Sequence, residues 1–217
     1  MRAGSNPVMH SEPSRGGKGA AILAAARQEF LGGGFGAVSM DVIARAASVS
    51  KATVYAHFTS KEELFGAVVA DMSERYFRGF SASELDPVDV AASLTTIARR
   101  FLELVLSPEA VALNRIIIGE VSRFPALGEV FWQAGPERSR VQIEIFMRRA
   151  AAAGTLAITD PREAAEQFAS LVRGEIHLRH LLRLEPVHAA ASADAAASAV
   201  ATFLRAFGHG TGAPAAG

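Results

Sequence analysis

The sequence predicts an all-α protein, and three observations predict it. From Gly19 onward apolar residues recur at helical spacing, and no stretch alternates apolar and polar residues as a strand does. Three pairs, Asp86-Pro87, Ser107-Pro108 and Asp160-Pro161, stand where helices open, because the N–H that proline lacks is unused in a first turn. Of the 217 residues 50% are hydrophobic and 20% charged, a balance that lets a chain of this length bury a core.

The elements follow in order, about nine helices in all. Residues 1–17 are rich in Gly, Pro and Ser and read as a disordered tail. A first helix runs from about Lys18 to Leu31, with Ile22, Leu23, Ala26 and Phe30 as its apolar stripe and Gly32-Gly33-Gly34 as its stop. Ser39 caps a short second helix to about Ala46, Ser50 a third over about Lys51–His57, and Ser60 a fourth, with Glu63 at the capping-box position. Asp86-Pro87 opens a fifth helix to about Leu106, and Ser107-Pro108 a sixth to about Phe124. Pro125 starts a seventh, disturbed at Gly135-Pro136 and ended before Gly154. Asp160-Pro161 opens a long eighth helix to about Leu184, Pro186 separates off the last, which ends near Gly208, and residues 209–217 form a loose tail. The domains expected are 18–65 and 66–208.

The most informative stretch is Phe35 to Phe65. Two short helices meet across a tight turn around Ser48, with Ile43, Ala47, Val49 and Val54 facing inward and Ala44 small enough for close approach. This is the pattern of a helix-turn-helix, whose second helix enters the DNA major groove. Its exposed residues, Ser50, Lys51, Thr53, Tyr55 and His57, all carry hydrogen-bonding groups.

These residues resemble the TetR family of transcriptional regulators. The resemblance rests on Ser39-Met40-Asp41-Val42-Ile43-Ala44, on Ala47 through Phe58, and on Lys61-Glu62-Glu63-Leu64-Phe65. A weaker one, to the C-terminal half of AcrR/AefR-like members, rests on Asn114 to Ala134 with Gly119-Glu120-Val121-Ser122-Arg123-Phe124-Pro125. The resemblance implies that Ser39, Thr53, Tyr55, His57 and Lys61 stand where phosphates are contacted, and Arg45, Ser50, Lys51 and Ala52 at or near base edges. Phosphate contacts position such a protein and base-edge contacts read sequence. Ser48 and Ala52 depart from the glycines usual there, and a non-glycine residue in a left-handed turn costs about 1 kcal/mol.

For the larger part of the chain the resemblance implies a ligand cavity among the fourth to eighth helices. Phe101, Ile117, Val121, Phe124, Trp132 and Phe146 are apolar candidates for its wall, and Asn114, Glu120 and His177 are polar candidates for orienting a ligand, as is Arg123. The last two long helices carry Phe168, Leu171, Val172 and Ile176, and Val200, Phe203, Leu204 and Phe207. They are the expected interface of a homodimeric four-helix bundle.

Other chemistries find no footing. Without cysteine there is no disulfide, thiol nucleophile or cysteine-ligated metal, and neither a G-x-S-x-G nor a G-x-x-x-x-G-K motif occurs. His177 and His180 lie three apart with Glu175 beside them, but a helical di-metal site uses Glu-x-x-His pairs on two helices and the chain does not supply them, so no metal or cofactor is expected. No apolar run has a membrane helix's length, and a cytoplasmic protein is expected. The 22 basic and 22 acidic residues are unevenly placed: residues 1–60 hold six basic and three acidic side chains, and all three lysines lie in or beside the helix-turn-helix. The expectation is a non-enzymatic repressor, released from a palindromic operator by a small, largely apolar ligand, with a shallow salt dependence. The alternatives are an all-helical binding protein or enzyme with a vestigial helix-turn-helix, and a regulator controlled by a protein partner.

Overall fold

The computed structural model describes residues 17–77, 81–184 and 189–208. The tail expected at 1–17, apart from Gly17, the tail expected at 209–217, and the break at Pro186 lie outside them. Among the described residues the fold consists of α1 (Lys18–Ala37), α2 (Met40–Ala46), α3 (Lys51–His57), α4 (Lys61–Phe77), α5 (Val90–Val105), α6 (Pro108–Glu120), α7 (Pro125–Ala134), α8 (Pro136–Ala152), α9 (Pro161–Leu181) and α10 (Ala189–Phe207).

Side-chain caps set most of the starts. Ser39, Ser50 and Ser107 accept from the N–H groups of Val42, Thr53 and Ala110, and Asp160 from those of Arg162 and Glu163. Ser60 accepts from the Glu63 N–H at 3.0 Å, while the Glu63 carboxylate reaches back to the N–H of Thr59 at 2.7 Å. Each cap satisfies a first-turn N–H that has no helical partner.

Four boundaries differ from the sequence reading. The first helix continues through Gly32 and Gly33 and breaks only at Gly34, where φ is 77° and left-handed geometry turns Phe35 back into the core. The fifth helix opens at Val90 behind Asp89, not at Pro87, because the Asp86 carboxylate closes a local turn on the Val88 N–H. The sixth ends at Glu120, short of Phe124. The ninth ends at Leu181 and is interrupted at Gly174, where φ is 44°. The disturbance expected at Gly135-Pro136 separates α7 from α8, which makes ten helices of about nine.

Two hydrophobic clusters hold the fold, and they divide the helices differently from chain order. The first joins α1–α4 to α6 and α7 through Phe30, Phe35, Phe65, Leu113, Ile117 and Leu127. Phe35 meets Phe65 and Phe124 edge-on, with centroids 5.5 and 5.2 Å apart, a favoured aromatic geometry. The second joins α5, α8, α9 and α10 through Leu94, Phe101, Phe146, Phe168, Val172 and Phe203. The apolar stripes expected at the dimer interface therefore do different work. Phe168, Val172, Val200 and Phe203 are buried in the protomer's own core, with Ile176, Leu204 and Phe207 packed against it. Only Leu171 of that group is exposed.

Helix α6 grips the first helix at both ends. Near its start Glu109 takes Arg27 of α1 at 3.3 Å and Arg75 of α4 at 3.0 Å. At its end the Glu120 carboxylate accepts from the Gly36 N–H at 3.0 Å. From its middle, Arg115 donates to the carbonyls of Leu181 and His180, both at 2.9 Å, and so caps the end of α9.

Candidate nucleic-acid interface and ligand cavity

The pair α2 and α3 is built by local chemistry. Met40, Ile43, Ala44 and Val54 are buried, and the Val49 N–H bonds the Ala44 carbonyl at 3.0 Å to close the turn. Ser48 sits there with φ 55°, the left-handed conformation that its position implies.

The opposite face of the pair is open. Ser39, Arg45, Ser50, Lys51, Ala52 and Tyr55 are exposed, and Thr53 and His57 are half-buried. Tyr55 leaves 45% of its surface exposed and so is not part of the core. Several polar groups are held in place: the Ser50 and Thr53 hydroxyls are hydrogen-bonded to each other at 2.8 Å, and the Lys51 ammonium meets Asp41 at 2.9 Å. That ion pair raises the Lys51 pKa, first through the hydrogen bond to Asp41 and then through its charge. Both partners are exposed, so exchanging Asp41 for a phosphate is easy.

Lys61 does not share this face. Its ammonium donates to the carbonyls of Phe35 and Val38, at 2.8 and 2.9 Å, and lies 4.3 Å from the Phe35 ring centroid. It fastens the start of α4 to the end of α1, and burial lowers its pKa. A lysine just inside a capped helix has the same sequence signature whether it turns outward or folds back on open carbonyls.

A second site lies where the two hydrophobic clusters meet. A cavity of about 320 Å³ is walled by Val69, Met72 and Ser73 of α4, Phe101, Leu104 and Val105 of α5, and Ala110 and Asn114 of α6. Phe131 and Trp132 of α7, Gly135, Pro136, Ser139 and Arg140 at the start of α8, and Glu166, Ala169, Ser170, Arg173 and His177 of α9 complete it. Phe101, Asn114, Trp132 and His177 thus stand where the sequence reading put them. The other candidates do not. Phe146 and Ile117 are buried inside the second and first clusters, Phe124 packs on Phe35, and Val121 lies in the turn after α6. Glu120 is bonded to Gly36. The early end of α6 carries Glu120 through Phe124 away from the cavity and onto the first helix.

The charges of the wall are unequal. Arg140 is almost fully buried and held by Glu137 and Glu144. Those bonds raise its pKa, and the bond from Arg140 lowers that of Glu137. For Glu144 burial pushes upward, but the bonds from Arg140 and Arg148 outweigh it. His177 has a lowered pKa, through burial first and then through the charge of Arg173, so its imidazole is neutral at neutral pH. Arg140 and Arg173 were not foreseen. Both lie on helices, α8 and α9, that carry several other charged residues, so the sequence alone does not single out the two that face inward.

Comparison with known proteins agrees with this layout. Residues 22–68 match the family model described as bacterial regulatory proteins, tetR family. Residues 92–209 match that of the AefR-like transcriptional repressor, C-terminal domain. The structure of the flavonoid-responsive regulator FrrA is similar at TM-score 0.72 and 39% identity, covering 88% of this chain and 97% of that one. A TetR-family structure from Mesorhizobium loti MAFF303099 is similar at TM-score 0.76 and 28% identity, covering 88% and 96%. The HTH-type transcriptional regulator UidR of Escherichia coli strain K12 is 41% identical over 59 residues, 27% of this chain. The match spans only 30% of the length of that relative. No helix among the described residues is long and apolar enough to cross a membrane.

Proposed function

The chain belongs to the TetR family of transcriptional regulators, and on that premise we propose that it is a repressor released from a palindromic operator when a small, largely apolar ligand fills the cavity. The observation that carries this is the position of the cavity: its wall includes α4, the helix that begins against the helix-turn-helix, and α6, which holds α1 at both ends. DNA is met by Tyr55, Ser50, Thr53, Lys51, Arg45, Ala52, Ser39 and His57. The name of FrrA, a flavonoid-responsive regulator, supports a ring-bearing organic effector for this chain as well.

A palindromic operator requires two recognition helices about 34–36 Å apart, hence a dimer. The last two long helices supply its interface in this reading. Since their inward residues are in the core, the outward ones are left for it: Leu171 and Leu178 on α9 with Leu182 just after it, and Ala193, Ala197 and Ala201 on α10. A ligand between Met72 of α4 and the α9 wall shifts α4 and changes the spacing of the two reading heads. It does so only by binding the released form more tightly than the DNA-bound form.

An electrophoretic shift of DNA from upstream of the protein's own gene tests the reading, with Tyr55→Ala as control. The expected result is retardation by the wild-type protein, loss with Tyr55→Ala, and release by an effector. Failure to retain any genomic fragment at low salt refutes it.

A further inference from the structure

Cavity walls in helical proteins are mostly apolar, and the polar groups they contain are normally satisfied within the protein. Three of the four charged or ionisable residues on this wall fall into two kinds. Arg140 is held by Glu137 and Glu144, and Glu166, the one carboxylate among the described lining residues, by Arg162 at 3.3 Å. His177 has a buried Nε2 with no hydrogen-bond partner. The fourth, Arg173, is half-buried, and none of the ion pairs or hydrogen bonds of the described residues engages its guanidinium. Arg173 and His177 stand near each other on either side of the break at Gly174. A guanidinium partly withdrawn from water without a counter-ion is costly, and an unpaired buried imidazole nitrogen more so. One ligand group meets both needs: an oxyanion that accepts from the guanidinium and from the imidazole N–H.

We propose that the cavity seats an amphiphilic organic acid, its ring or chain against Phe101, Phe131 and Trp132 and its oxyanion between Arg173 and His177. This rests on the reading of the cavity as the effector site and narrows the effector to one chemical class. A neutral apolar ligand fills the same volume but leaves the guanidinium without a counter-charge. An amine is repelled by it. Asn114, whose amide donates to the Ala110 carbonyl at 2.9 Å, keeps its side-chain oxygen for a hydroxyl on the same ligand.

A matched pair of dyes tests the acid preference. The probes are 1-anilinonaphthalene-8-sulfonate, an anion, and N-phenyl-1-naphthylamine, the same ring system without the sulfonate. Trp132 is the only tryptophan of the chain and lies on the cavity wall, so energy transfer from it reports occupancy there. In the wild-type protein the anion is expected to bind about tenfold more tightly than the neutral dye, the difference one charge-assisted hydrogen bond makes. Arg173→Gln should remove that preference while leaving the affinity for the neutral dye unchanged. Arg173→Lys should retain part of it, and Arg148→Gln, on the exposed side of α8, all of it. Equal binding of the two dyes by the wild-type protein, or equal losses for both in Arg173→Gln, overturns the acid seat and leaves the effector cavity standing. Absence of energy transfer with either dye overturns the cavity itself.

Discussion

The bond between Glu120 and Gly36 offers a prediction whose sign reverses with background. Glu120 Oε1 accepts from the Gly36 N–H at 3.0 Å in a half-buried setting. A Cβ placed on Gly36 would lie 3.0 and 3.1 Å from the two carboxylate oxygens, inside ordinary contact distance. Gly36→Ala therefore forces the carboxylate to give way by a few tenths of an ångström, and the prediction is that the bond does not survive the shift. A hydrogen bond to a charged group contributes about 1.5–3 kcal/mol, and the partial exposure here favours the lower end. Replacing glycine by alanine at an unstrained position returns about 0.4–1 kcal/mol by restricting the unfolded chain. The net expectation for Gly36→Ala is a loss of about 1 kcal/mol in the wild-type background. With Glu120→Ala already made, the crowding and the bond are both gone, and the same change should be neutral or stabilising. Urea unfolding followed by circular dichroism, over the four members of the cycle, measures this. If Gly36→Ala has the same effect in both backgrounds to within about 0.5 kcal/mol, the two residues are not coupled and the latch between α6 and α1 is not formed.

Three further outcomes follow from the geometry. Ser48→Gly should raise stability by about 0.5 kcal/mol, because relief of the left-handed strain exceeds the added freedom of the unfolded chain; a thermal melt checks it, and a loss would mean that the Ser48 side chain holds the turn. Lys51→Ala should reduce the slope of log affinity against log salt by about one per subunit, and Asp41→Asn should tighten DNA binding; fluorescence anisotropy at several salt concentrations reads both. His177 is held neutral in the folded protein by its burial, with Arg173 and His180 adding their charges, so its folded pKa lies below the unfolded one. Its contribution to stability is thus complete above the unfolded value of about 6.5 and is lost as pH falls through the lower folded value. His177→Gln should flatten the decline of urea-unfolding stability below neutral pH.

The reading head was legible because local rules decide it. Ser39, Ser50 and Ser60 cap the helices they precede, Val54 is buried and Tyr55 is exposed, as the spacing implied. The cavity was legible only in part. Phe101 and Phe146 both lie on apolar stripes, yet one lines the wall and the other is sealed in the core. Their period is the same, and the difference arises from how α5, α8 and α9 approach one another. The stretch from Glu120 to Phe124 is misplaced in the sequence reading because Gly119 lies inside α6 and no glycine or proline follows it before Pro125 to mark where the helix stops. Four residues of turn redirect it onto the first helix. Phe168 and Phe203 were assigned to a partner because an apolar stripe does not say whose helix covers it. Their rings, 5.1 Å apart, cover each other.

The make-up of the first hydrophobic cluster limits how this protein can be recombined. A chimera that grafts residues 18–65 onto another regulator's body, to redirect it to a new operator, would leave Phe30, Phe35 and Phe65 without Leu113, Ile117 and Leu127. The donor's aromatic rings would then face whatever the host's sixth and seventh helices supply at those places. A workable graft exchanges those three positions, together with Glu109 and Glu120, as one unit with the reading head.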